Sequence, residues 1–125
     1  MNLRNLYLLN TIVSLGFALG FLLLGPVMLD LFGMENTADT QTLGRLIAVE
    51  LVVGGVITLL ARDVTDPQAT RAINTGNFVA GVIGTVVALL ATLSGVMGWF
   101  GYVVTAVYLF IALAFGYFQF MRPSR

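Results

Sequence analysis

AINTGNFVAGVIGTVVALLATLSGVMGWFGYVVTAVYLFIALAFGYFQFM, residues 72–121, contains no Asp, Glu, Lys or Arg between the flanking Arg71 and Arg122. Wound as helix at about 1.5 Å per residue it extends roughly 75 Å, which is two crossings of a ~30 Å hydrocarbon core plus a turn. The turn is marked by Ser94-Gly95-Val96-Met97-Gly98-Trp99, small residues closed by an interfacial aromatic. A helical hairpin in lipid is therefore expected, and it sets the class of the whole chain.

The rest of the sequence extends the same pattern. Residues 5–29 are uncharged, and the run is longer than the apolar region of a secretory signal and ends at Gly25-Pro26 without a small-x-small site, so it reads as a retained first span. A further apolar run, Leu51 to Ala61, is preceded by Glu50 and Arg45. Four spans are predicted, at about residues 5–27, 43–61, 73–93 and 99–121. The fold class is all-α, an antiparallel four-helix bundle in a single transmembrane domain over residues 1–125. With four spans, Arg4, Arg62, Arg71, Arg122 and Arg125 fall on one side and Arg45 alone on the other. The positive-inside rule then places both termini and the loop from Arg62 to Arg71 in the cytoplasm. Pro26 is expected to stop the first helix, Asp39 or Thr40 to cap the second, and Asp66-Pro67 to start the third.

Composition excludes much chemistry. The 125 residues are 58% hydrophobic and 10% charged, with six Arg, no Lys, no His and no Cys. Thiol chemistry, Schiff bases, imidazole catalysis and His- or Cys-ligated metals are thus absent, and no basic face is available for nucleic acid. Asp30, Glu35 and Asp39 lack calcium-loop spacing. No enzyme activity, metal or cofactor is expected. The Phe-rich last span would accommodate a lipid, a quinone or a carotenoid.

Helices in lipid associate through small residues and polar side chains rather than through hydrophobicity. Gly76, Ala80, Gly84 and Ala88 recur every four residues in the third span, and Gly16 and Gly20 lie in the first. These are the candidate packing positions, within the chain or between copies. Asn10, Ser14, Thr58, Asn74, Asn77 and Gln119 form a polar layer toward the terminal side that reads as interhelical glue. Glu50, about seven residues into the second span, is costly in hydrocarbon unless protonated, paired or wet. Arg45 is five residues away, about 140° around the helix, so it is a poor partner on the same helix. Tyr102 and Thr105 are candidate neighbours at similar depth. Glu50, Arg45, Tyr102 and Thr105 are accordingly the candidate ligand- or ion-coupling set.

The chain resembles small bacterial four-span membrane proteins of the DoxX-like class. The resemblance rests on Leu6-Tyr7-Leu8-Leu9-Asn10, Gly25-Pro26 leading to Leu31-Phe32-Gly33, Gly44-Arg45-Leu46, Ala61-Arg62-Asp63, Arg71-Ala72-Ile73 and Gly95 to Trp99. It implies a multi-pass inner-membrane protein and, by analogy with members linked to quinone-reducing oxidoreductases, an accessory role. A small or apolar residue is expected in such proteins where this chain has Glu50. Two functions are carried forward. The first is a non-enzymatic structural or accessory membrane protein that associates with itself or with a larger membrane complex. The second is a small proton- or cation-coupled transporter using Glu50.

Overall fold

A computed structural model describes residues 1–121; Arg122 and Arg125, used above for orientation, lie outside the described residues. The elements run α1 (Leu3–Leu23), α2 (Gly25–Leu31), α3 (Ala38–Leu60), α4 (Pro67–Leu93) and α5 (Phe100–Gly116), the last continued by a π-helical turn, Tyr117–Met121. Four of these helices, the last taken through Met121, are long and apolar enough to cross a membrane. The protein is an all-helical, multi-pass membrane protein with no strand among the described residues.

Local chemistry sets the helix ends. Asn2 caps α1 through a hydrogen bond from the Asn5 amide. The helix stops at Leu23, four residues before the expected end, because Pro26 brings no N–H to continue the ladder and instead sits in the first turn of α2. Asp66 caps α4 as expected, accepting from the Ala69 amide, with Pro67 at the first helical position. The expected cap on α3 is corrected. Thr37 occupies it, and Thr40 returns its hydroxyl to the Thr37 amide in a reciprocal capping box, so α3 starts five residues earlier than the apolar run implied.

The bundle is two hairpins. α1 lies along α3, and α4 lies along α5. In the first pair Gly44 takes the Phe21 ring and Gly55 takes Leu15. In the second, Gly81 lies against the Ala112 backbone, where an added Cβ would come within 2.7 Å of its nitrogen, and Gly84 receives the Tyr108 ring. Gly101 faces Thr92 and Gly116 faces Phe78. These are the close approaches that small residues permit in lipid.

Side chains hold the two hairpins together at both ends. At the end bearing the N terminus, Leu6, Tyr7, Ala61, Phe115 and Phe118 form one buried cluster, with Tyr7 and Phe115 stacked at 5.9 Å. At the opposite, distal end Phe32 and Phe100 are 5.4 Å apart, and the Gly98 amide donates to the Phe32 carbonyl at 3.1 Å. Gly33 makes that docking possible. Its φ of +71° suits glycine, and a Cβ there would fall 2.7 Å from the Gly98 nitrogen.

Candidate functional site

Polar side chains that the sequence scatters over three helices meet near the terminal end. The Tyr7 hydroxyl donates to Asn74 Oδ1 at 2.8 Å, linking the two hairpins. Asn10 Nδ2 donates to Thr58 Oγ1 at 3.3 Å, and Thr11 Oγ1 lies 2.9 Å from both the Thr58 hydroxyl and the Gly55 carbonyl. Asn74 and Thr58 are wholly buried. No buried side-chain nitrogen or oxygen lacks a partner among the described residues. Asn10, Thr58 and Asn74 were legible as this layer, whereas Tyr7 and Thr11 were missed. Asn77 instead donates to the Ile73 carbonyl of its own helix. Such a saturated network can lock helices together but offers no free group for proton transfer.

Between the hairpins, toward the distal end, lies a cavity of about 390 Å³ bounded by all four spans and α2. Phe17, Phe32, Leu51, Ala88, Val104 and Tyr108 contribute to its wall, and Ser14 and Thr40 are among its few polar members. Gly84 and Ala88 of the candidate packing set line this space as well. The chamber is apolar and suits hydrocarbon rather than an ion.

The candidate coupling set does not converge on that chamber. Thr105 is buried, with its hydroxyl given to the Gly101 carbonyl within α5. Tyr102 is mostly exposed. Glu50 is exposed on α3 and has no hydrogen-bond or ion-pair partner among the described residues. Arg45 is exposed too and, among the described residues, donates to Gln41, one turn back, at 3.4 Å. No hydrogen bond or ion pair joins Glu50 to Arg45, Tyr102 or Thr105.

The candidate packing set divides. Gly20 sits against Met28, Gly84 against Tyr108, and Ala88 is buried. Gly16 and Gly76 have open space around them, and Ala80 is exposed, so these three do not carry packing within the chain. Gly81, beside the strict four-residue line, takes the close backbone contact with Ala112 instead. Among the described residues no group of three or more Asp, Glu, His or Cys is placed to hold a metal ion. Comparison with protein-family models, with curated proteins and with solved structures gives no match.

Proposed function

We propose that this chain is a non-enzymatic structural or accessory protein of the bacterial inner membrane, with its termini in the cytoplasm, that works by associating with itself or with a larger membrane complex. One observation carries the reading: Arg45 and Glu50 are exposed on a membrane-spanning helix and have no ionic partner among the described residues. Charges within a span pair with one another, line water or meet a partner. The network of Tyr7, Asn10, Thr11, Thr58 and Asn74 supports the same role, because it fixes a rigid body and leaves the outer face for recognition. DoxX-like membership belongs to this proposal, and a lipid or another apolar tail is the kind of ligand that suits the chamber.

The test is to purify the protein from its native membrane in mild detergent and weigh the intact particle by native mass spectrometry. A discrete assembly larger than the 13.4 kDa chain is expected. Replacing Glu50 by Gln should leave proton and cation flux in proteoliposomes at the background level of empty vesicles. A lone chain that conducts, with flux abolished by Glu50→Gln, would overturn the reading in favour of a coupled transporter.

A further inference from the structure

We infer that α3 meets the α3 of a second copy of this chain across a two-fold axis along the membrane normal, with Arg45 of each copy paired to Glu50 of the other. The inference rests on the association reading above and names the surface and the partner.

Leu46, Val49, Val53, Val56 and Leu60 follow one another at intervals of three, four, three and four residues, the spacing of a helix–helix seam. All five are exposed in the chain, from 38% at Val56 to 72% at Leu60. The opposite face of α3, with Gly44, Ala48, Gly55 and Thr58, is consumed by α1. An apolar seam in lipid does not by itself choose a partner, since acyl chains are equally good neighbours. The flanking charges do.

At 100° per residue Arg45 and Glu50 stand about 140° apart, and the seam bisects that angle. Each charge is thus about 70° to one side of the contact line. A two-fold axis parallel to the helices turns the Arg45 flank of one copy toward the Glu50 flank of the other. This is the relation of flanking charged positions in a parallel two-stranded coil, where such pairs set partner and orientation. The pair cannot close within one helix, for the same 140° reason, but it closes twice between two copies. A foreign helix would need an acid and a base at matching places, whereas a second copy has them by symmetry. Arg45 is also the sole arginine on its side of the predicted topology, so its use as a fixed pair explains its departure from the terminal-side cluster. The left-handed, roughly 20° crossing of such seams is the common one in membrane bundles.

The chain has no cysteine, so single-cysteine variants report proximity without background. In native-like vesicles, Val53→Cys should form a dimer under mild oxidation, and Val86→Cys, exposed on α4, should not. Glu50→Arg or Arg45→Glu should each lower the dimer fraction about tenfold or more, and the double reversal should restore it to within about threefold. Loss in both single variants without rescue in the double overturns the pairing. Should a single reversal fail to insert, the Val53 and Val86 cross-links still decide. A Val53→Cys protein that joins a different subunit rather than its own copy overturns the two-fold contact while leaving the accessory role standing. A monomer with no cross-link overturns both.

Discussion

Asn74 and Tyr7 show what a single hydrogen bond does in this protein. They lie in different hairpins, and their 2.8 Å bond places an otherwise costly amide in the core. Tyr7→Phe removes the donor and leaves the Asn74 carbonyl unpaired, so we expect a loss of about 1 kcal/mol in unfolding measured in detergent or bicelles. Tyr7→Phe combined with Asn74→Ala should be less harmful than the sum of the two, because the second change removes the orphaned group. An additive cycle would show that the bond contributes nothing. The sequence revealed the depth of Asn10, Thr58 and Asn74 through their position along each span. It did not reveal their partners, Tyr7 among them: a helix that is apolar all round carries no mark of which side faces a neighbour.

At the scale of the helix, α4 shows why a repeat every four residues misleads. Each step of four residues advances 400°, so the line from Gly76 through Ala80 and Gly84 to Ala88 drifts about 120° around the helix. The face that packs on α5 runs straighter, through Gly81, Gly84 and Ala88 to Thr92. Gly81→Leu should cost about 1–3 kcal/mol by forcing the Ala112 backbone away. Gly76→Leu should leave the stability of the single chain within about 0.5 kcal/mol, since no other helix among the described residues comes within 4 Å of a side chain's first carbon there. Equal losses in the two variants, measured by thermal unfolding, would refute this assignment. The helix starts were mixed in legibility. Asp66-Pro67 announced α4 because both residues act locally, whereas the start of α3 depended on a reciprocal pair, Thr37 and Thr40, embedded among other polar residues.

For the whole molecule, four spans follow from apolar length alone, and length is what a bilayer demands. Their pairing into α1–α3 and α4–α5 hairpins does not follow from connection length, because residues 61–66 between α3 and α4 form as short a link as residues 94–99 between α4 and α5, yet the packing joins α3 to α1. The chamber between the hairpins was not legible, because it arises from side chains of all four spans and from α2 folding over the distal end. That end is closed by the backbone contact of Gly33 with Gly98. Gly33→Val places a branched side chain at φ +71° and against that backbone, so a destabilisation of about 1–3 kcal/mol is expected, with faster proteolysis of the two distal loops. Unchanged unfolding and unchanged cleavage would mean that the hairpins hold together without this contact.

Four crossings by α1, α3, α4 and α5 put the first residues and the loop between α3 and α4 on one side of the membrane. Single cysteines at Asn2, Asn36, Thr65 and Ser94, labelled with a membrane-impermeant maleimide in sealed vesicles of known orientation, test this arrangement directly. Residues 2 and 65 should label from one side, and residues 36 and 94 from the other. Labelling of 36 and 65 from the same side would contradict the four-span architecture and everything built on it.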